Sequence, residues 1–306
     1  MSNAAKRVTI DNETHKIVKS LGVVDGKNRK IYKSYAVVDG KTRLCYMSEL
    51  LAFTGAISAP MTVDIDGVPY AVYTLTTDGV VSVYADEALF WMCGGGAGGE
   101  TPHNGLLAGG GGGGAYCVSG KLTGGKYPVV IGQGGAASED GQPTTLGVHT
   151  AEGGKTGVDG FGGNGGSGGG GTVKNEGNYV SIRDGGKGDG VAKYPFGVIS
   201  LQAHCAGGGG GRLYHSTQHS SEEGGDGGSN GSDGKGGQDS ESEYYYSYGG
   251  EKGGGNGGSY GKDGSDGTFY GSGGGGGGTN STKYPNVYGI GGNGYQGVVY
   301  IAIRIA

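Results

Sequence analysis

Glycine recurs at every third position in three segments of this chain, and this spacing limits the possible folds more than any other feature. The segments are residues 160–169, 225–237 and 255–267. Three residues make one turn of the polyproline-II-type helix, which has no internal hydrogen bonds. Six of the 79 glycines lie in the first 93 residues, and the other 73 lie in the last 213. Such a region lacks the side chains for an ordinary core of helices or sheets.

Unbroken glycine runs separate these periodic segments. A flexible linker would have this composition, because glycine tracts bury too little to offset about 1–2 kcal/mol per residue of backbone entropy. The runs, however, alternate with short apolar segments such as residues 115–118 and 127–131. We therefore predict packed glycine helices that take their hydrogen-bond partners from neighbouring helices. The seven prolines are too few for a collagen triple helix. The runs are residues 109–114, 168–171, 207–211 and 273–278.

The first 52 residues contain a fourteen-residue repeat that begins at Asp11, Asp25 and Asp39. Each unit opens with a turn signal, which is Asp-Gly in the last two, and continues with alternating apolar and basic residues. This pattern predicts short β-strands joined by tight turns. Three such units bury little on their own, so we expect them to self-associate or to dock on a larger assembly.

Ordinary β sequence lies at both ends of the glycine-rich region. Residues 61–93 predict a hairpin or meander with a turn at Asp78-Gly79, and residues 297–306 predict a terminal strand. We expect these strands to pair and to close the domain. The expected fold is mainly irregular and β: a packed polyglycine-II sandwich bracketed by β-strands. The expected domains are residues 1–52, a β-hairpin connector at 53–93, and the glycine-rich domain at 94–306.

Charge is divided unevenly along the chain. Residues 1–52 carry ten Lys and Arg against five Asp and Glu, whereas the remainder carries 13 against 23. A basic amino terminus suits docking to another protein, and the acidic remainder argues against nucleic-acid binding. The expected attachment residues are Arg29, Lys30, Lys33 and Arg43. The sequence shows neither a secretory signal nor a membrane-spanning stretch.

Signatures of catalysis or cofactor binding are weak. The phosphate-loop near matches at Gly120 and at Gly154-Lys155-Thr156 each lack one required position. His215 and His219 have the spacing of zinc ligands but lie in a loop-like segment without a second pair. Four widely spaced cysteines form no disulfide framework, although Cys93 and Cys117 could be neighbours. We predict no enzymatic activity, no cofactor and no bound metal.

Polar and aromatic inserts lie between the glycine segments, at residues 212–223, 239–248 and 280–288. Tyrosine dominates the aromatic residues, with 21 against five phenylalanines and one tryptophan. In antibody loops, tyrosine gives a large contact area at low entropic cost. The alternative is that these rings pack on the glycine helices. The predicted receptor-binding residues are Tyr214, Tyr244, Tyr245, Tyr246, Tyr248 and Tyr284.

Four stretches carry a resemblance to a known family: LFWMCGGGAGG, LLAGGGGGGAYCVSGKL, YPVVIGQGG and GGNGYQGVVYIAIRI. They resemble the glycine-rich domain of bacteriophage and prophage tail proteins, including the polyglycine-II adhesin at the long tail fibre tip of T-even-like phages. The resemblance covers roughly residues 80–306. The repeats VVDGKNRKIYKSY and VVDGKTRLCY also look like amino-terminal units of tail-associated proteins from phages of Gram-positive hosts, and this part differs from the T-even adhesin.

The resemblance implies a virion tail protein that is assembled in the host cytoplasm and acts at the host cell surface. Its expected partners are a tail or baseplate protein and a glycan or protein receptor on the bacterial surface, with homo-oligomerisation as a further expectation. Two alternatives stay open. One is a structural spacer or decoration protein without a receptor, and the other is a tailspike depolymerase, which would need a carboxylate pair in a groove.

Overall fold

The computed structural model divides the chain into two compact units, Met1–Ala52 and Phe53–Ala306. The described residues are 7–10, 13–16, 21–24, 27–30, 33–38, 41–47, 50–103, 107–175, 180–189, 196, 204–214, 221–223, 225–229, 232, 234–235, 238–240, 249, 253–280 and 287–305.

Among its described residues, the first unit contains three antiparallel hairpins. In each hairpin two residues separate the paired strand ends, which are Ile10 and Glu13, Val24 and Lys27, and Val38 and Lys41. The predicted short strands are thus confirmed, whereas the residues of the predicted turns lie outside the described residues. The strands are β1 (Arg7–Ile10), β2 (Glu13–Lys16), β3 (Leu21–Val24), β4 (Lys27–Lys30), β5 (Lys33–Val38) and β6 (Lys41–Met47).

A large sheet forms one end of the second unit, with the strand order β13-β12-β11-β10-β21-β9-β8. The confirmed fold class is therefore mainly β and irregular. The strands from the unit boundary onward are β7 (Leu51–Phe53), β8 (Met61–Ile65), β9 (Val68–Leu75), β10 (Gly79–Cys93), β11 (Cys117–Val130), β12 (Thr144–Leu146), β13 (His149–Ala151), β14 (Val173–Asn175), β15 (Val180–Ile182), β16 (Leu213–Tyr214), β17 (Ser221–Glu223), β18 (Gln238–Ser240), β19 (Thr279–Asn280), β20 (Val287–Tyr288) and β21 (Val298–Arg304).

The carboxy-terminal strand β21 lies in the middle of the large sheet, antiparallel to both β10 and β9. The strands that bracket the glycine-rich region therefore pair, as the sequence predicts. The predicted hairpin across Asp78-Gly79 is wrong, because β21 separates β9 from β10. The physical reason is burial: every residue from Val298 to Ile303 is buried, so the backbone groups on both edges of β21 need partners, which a strand on each side supplies. The hairpin forms instead between β8 and β9, across Asp66 and Gly67, which both have positive φ.

The glycine segments pack beside this sheet through backbone hydrogen bonds that repeat every third residue. The amides of Gly109, Gly112 and Ala115 donate to the carbonyls of Gly277, Gly274 and Gly271 at 2.7–2.9 Å. The amides of Gly111 and Gly114 point to a different neighbouring segment and donate to the carbonyls of Gly170 and Ser167. The donors thus follow the three-residue turn of a polyproline-II-type helix, as the glycine spacing predicts.

The segment at residues 271–279 has hydrogen-bonded neighbours on all sides. Its amides from Gly273 to Gly278 donate in turn to three segments, at residues 206–209, 97–100 and 262–265, and its carbonyls from Gly271 to Gly278 accept from three others, at residues 109–115, 255–258 and 289–295. Such an array leaves no room for side chains between the helices, because a β-carbon on Gly276 would overlap the carbonyl of Gly109. Backbone hydrogen bonds therefore replace the apolar core in this half of the unit.

Candidate functional site

A small five-stranded sheet lies where the glycine segments end, with the order β18-β17-β16-β19-β20. We call it the end sheet. Its strands flank three inserts of the sequence: β16 and β17 flank residues 215–220, β18 precedes residues 241–248, and β19 and β20 flank residues 281–286. Inserts that are far apart in the sequence therefore start from one surface.

Two glycine segments set the position of the end sheet. Residues 205–212 and 271–279 run parallel, with amides of Gly273, Gly276 and Thr279 donating to Ala206, Gly209 and Arg212 at 2.8–2.9 Å. They continue directly into β16 and β19, which form a parallel pair. At about 3.1 Å per residue, the seven steps from Cys205 to Arg212 span about 22 Å. The end sheet thus lies at the opposite end of the glycine array from the large sheet.

Buried polar side chains satisfy backbone groups where the array ends. The Thr172 hydroxyl donates to the Gly211 carbonyl at 2.8 Å, and the Thr279 hydroxyl donates to the Leu107 carbonyl at 2.7 Å. Arg212 is also buried, and its guanidinium carbon lies 5.1 Å from the centre of the Tyr260 ring. A buried backbone group without a partner would cost about 1–3 kcal/mol, so these contacts stabilise the support of the end sheet.

Glu100 provides a carboxylate at the same end. One oxygen, Oε2, accepts from the amides of Gly110 and Gly160 at 2.9 and 2.8 Å, and Oε1 accepts from the amide of Asp159 at 2.9 Å. Burial raises the pKa of Glu100, while the three amide hydrogen bonds and the charge of His103 lower it to a smaller extent. The carboxylate takes the place of a neighbouring backbone carbonyl where the chain leaves the array at residues 157–161.

An apolar turn lies beside this end of the array. Val158 and Phe161 bridge across Asp159 and Gly160, both with positive φ, and a β-carbon at Gly160 would overlap side-chain atoms of Thr172 and Leu107. Val158 and Phe161 are exposed by 63% and 41%. The guanidinium carbon of Arg183 lies 4.9 Å from the centre of the Phe161 ring.

The structure describes only part of the predicted site residues. Tyr214 lies in β16, opposite Ser221 of β17 and Asn280 of β19. The other five predicted binding tyrosines and the two histidines with zinc-ligand spacing lie outside the described residues. Of the predicted attachment residues, Arg29 and Lys30 lie in β4, Lys33 in β5 and Arg43 in β6. The residues outside the described ranges are Tyr244, Tyr245, Tyr246, Tyr248, Tyr284, His215 and His219.

Sequence reasoning missed the buried polar residues at the end of the array. A simple signal could have identified them, because each is the first residue after a glycine run: Glu100 follows Gly98-Gly99, Thr172 follows residues 168–171, Arg212 follows residues 207–211, and Thr279 follows residues 273–278. Where a glycine run ends, backbone groups lose the hydrogen-bond partners that neighbouring segments of the array supply. At Glu100, Thr172 and Thr279 the polar side chain supplies the missing donor or acceptor.

Other features of the described residues offer little chemistry. Among these residues, no group of three or more His, Cys, Asp or Glu is placed to hold a metal ion, and no helix is long and apolar enough to cross a membrane. An open groove of about 490 Å³ lies beside the large sheet, lined by uncharged side chains that include Ile57, Met61, Thr74, Tyr270 and Tyr300.

The family model of the glycine-rich domain matches residues 76–304. The chain belongs to the glycine-rich domain family. No curated protein matched the sequence. The matched range runs from the turn before β10 to the last residue of β21, so it includes the glycine array, the end sheet and two central strands of the large sheet. The paired strands β10 and β21 are therefore part of the glycine-rich domain itself.

Proposed function

We propose that this glycine-rich protein is a bacteriophage or prophage-derived tail-fibre or tail-tip adhesin that binds a receptor on the host cell surface. The observation that carries the proposal is the end sheet. Its strands β16, β18 and β19 lie in one sheet and end where the inserts at residues 215–220, 241–248 and 281–286 begin, although up to 60 residues of sequence separate the inserts.

The glycine array suits this role because it is a rigid support. Each segment is tied to its neighbours by backbone hydrogen bonds at every turn, so the strands that carry the inserts have a fixed register. The hydrogen bonds between the described glycine segments join backbone groups, so they need no side chain from the inserts. The inserts can therefore change in sequence, and in receptor specificity, without changing the support.

In this proposal the two units have different tasks. The hairpins of residues 1–52 attach the protein to a tail or baseplate protein through Arg29, Lys30, Lys33 and Arg43, and the inserts contact a bacterial glycan or protein. The protein is assembled in the host cytoplasm, acts as part of the virion tail, forms a homo-oligomer if its particle requires one, and catalyses no reaction.

Binding of the purified chain to whole bacteria tests the proposal. The fluorescently labelled protein is incubated with a panel of Gram-positive and Gram-negative strains, and saturable binding is measured by flow cytometry. We expect saturable binding to some strains and at least a tenfold loss when residues 241–248 are replaced by a Gly/Ser sequence of equal length. Val148→Ser is the control, because Val148 is 94% exposed in a turn of the large sheet, at the other end of the array.

Two outcomes would reject the adhesin proposal. Absence of saturable binding to every strain, with the chain still incorporated into particles, would favour the spacer or decoration protein. Release of soluble sugars from the bound cells would favour a depolymerase.

A further inference from the structure

Three of the four cysteines meet where the large sheet joins the glycine array. Cys93 ends β10 and Cys117 begins β11, and these two residues are direct partners in the antiparallel pair. Cys205 begins the glycine segment at residues 205–212, and its Sγ lies 3.2 Å from the Sγ of Cys117, so that either thiol can donate to the other. All three are free thiols.

The backbone at Cys205 is unusual for a residue with a side chain. Its φ is +56°, in the left-handed region that glycine and asparagine adopt most easily. The chain uses glycine at 79 positions, including the neighbouring Gly271 with φ of +73°. A strained conformation that holds a reactive side chain in place is a reason to look for a role of that side chain. In this conformation the thiol of Cys205 lies within the cluster.

The three cysteine residues differ in their exposure to solvent. Cys93 and Cys205 are fully buried, whereas Cys117 is half-buried as a residue. We therefore expect a dissolved oxidant to react first at Cys117. Burial raises the pKa of Cys117 and also that of Cys205, so little thiolate exists at neutral pH and the reaction is slow there.

We propose that Cys117 and Cys205 form an intramolecular disulfide when the folded protein meets an oxidising disulfide such as oxidised glutathione. The Cys117 thiolate attacks one sulfur of oxidised glutathione, breaks its S–S bond and releases one glutathione thiolate. The Cys205 sulfur, after losing its proton to solvent, attacks Cys117 Sγ and displaces the second glutathione. The two protein thiols lose two electrons and two protons, and oxidised glutathione gains both. Cys93 stays a thiol.

The bond would join the first residue of β11 to the first residue of the segment that leads to β16, across 88 positions of sequence. A disulfide that closes so long a loop restricts the unfolded chain strongly. It would fix the base of the support for the end sheet. The chemistry is independent of the adhesin proposal, although a protein that leaves a reducing cytoplasm would acquire the bond outside the cell.

The test uses the full chain with Cys45→Ser, which leaves three thiols. The folded protein is incubated with oxidised glutathione at pH 8, its free thiols are counted, and its peptides are mapped by mass spectrometry without reduction. We expect the thiol count to fall from three to one, a cross-linked peptide pair containing Cys117 and Cys205, and faster reaction at pH 9 than at pH 7. The thermal midpoint should rise by about 5 °C.

Two variants identify the pair. Cys93→Ser retains Cys117 and Cys205, so it should form the same bond and show no free thiol. Cys117→Ser retains Cys93 and Cys205, and both should stay free thiols. The proposal is overturned if all three thiols survive until the protein is unfolded in guanidinium. It is also overturned if the cross-link joins Cys93 to Cys205, or if Cys117 stops at a glutathione adduct. Should Cys117→Ser fail to fold, the peptide maps of the parent and of Cys93→Ser decide the question.

Discussion

Gly275 lies so close to Asn256 that a β-carbon added to Gly275 would overlap the carbonyl oxygen and carbon of Asn256. In the same position the Gly275 amide donates to Ser265 at 2.9 Å, and its carbonyl accepts from Gly292 at 2.7 Å. The backbones can make both bonds only because no side chain separates them. Glycine at such a position is required by packing and not by backbone conformation.

Gly275→Ala should therefore destabilise the protein. Overpacking against backbone atoms costs about 1–3 kcal/mol, and a backbone shift at residue 275 would also weaken its two hydrogen bonds. Gly125→Ala in β11 is the matched control, because a β-carbon there would lie 3.4 Å from the Tyr127 hydroxyl, an ordinary contact. Thermal and denaturant unfolding of both variants gives the comparison. Equal melting curves for the two variants would show that the backbone around residue 275 can accommodate a β-carbon without loss of stability.

The sequence predicts the three-residue repeat of the glycine segments but not which segments lie side by side. The period of three fixes which amides of a segment point the same way, and the observed donors follow it. Glycine runs, however, carry no side chains that distinguish one neighbour from another. The choice of neighbour and register is made where runs end, by groups such as Glu100 and Thr172, and by the pairing of β10 with β21.

The end sheet was equally hidden in the sequence. Its strands are two or three residues long, such as Leu213–Tyr214 and Thr279–Asn280, and they lack the alternation that marks a strand. The central pair, β16 and β19, forms because the two glycine segments that precede these strands run parallel and place them side by side. Sequence reasoning did identify the inserts that the end sheet collects.

Glu100→Gln should change the pH dependence of stability. Burial raises the pKa of Glu100 above its ordinary value of 4.5, so the folded protein holds this proton more tightly than the unfolded chain does. The stability that Glu100 contributes is complete below pH 4.5 and is lost as the pH rises through its raised pKa. Glutamine does not titrate. The free energy of unfolding of the parent minus that of Glu100→Gln should therefore fall from pH 4 to pH 8.

Urea unfolding across this pH range measures the difference. Glu87→Gln is a control for the substitution itself, because Glu87 is exposed and pairs with Lys121 at 3.0 Å, a contact that contributes at most about 1 kcal/mol. A difference between the parent and Glu100→Gln that stays constant, or grows with pH, would contradict a raised pKa of Glu100 in the folded protein.

Asp263 and Asp266 should protect the rim of the array. Their Oδ1 atoms accept from the amides of Ile290 and Asn293, each at 2.7 Å, so the carboxylates repeat the three-residue spacing of the backbone. Replacing both by alanine should speed hydrogen exchange at Ile290 and Asn293 at least tenfold and lower stability by about 1–2 kcal/mol. Replacing both by asparagine keeps the acceptor oxygens and should preserve most of the protection. Equal exchange in the two double variants would show that water serves these amides as well.

Residues 53–306 should fold without the first unit. The strands β8 to β13 and β21, which form most of the large sheet, lie within this range, as do the glycine array and the end sheet. The truncated protein should show a cooperative thermal transition close to that of the full chain, and it should still bind host cells without joining particles. An unfolded or aggregated fragment would mean that residues 1–52 contribute to the stability of the second unit.

Changing Tyr244, Tyr245 and Tyr246 together to serine should reduce host binding while the protein stays folded. The three tyrosines follow β18, which ends at Ser240 on the edge of the end sheet. Tyrosine rings stack on sugar faces or fill protein pockets while their hydroxyls form hydrogen bonds, so a cluster of them is a good candidate for a binding hot spot. Tyr214→Ser and Tyr284→Ser should have smaller effects, because each removes one ring at a neighbouring insert.

Adsorption of particles that carry the triple variant gives the measurement. The control is Tyr127→Ser, which removes a half-buried tyrosine from β11 in the large sheet, at the other end of the array. We expect at least a tenfold loss of adsorption for the triple variant and none for the control, with similar thermal midpoints for both. Normal adsorption by intact particles would favour a spacer, because a hot spot cannot be removed without loss of binding. A triple variant that fails to fold would mean that these rings pack against the glycine segments, and receptor contact would then have to come from other residues of the inserts.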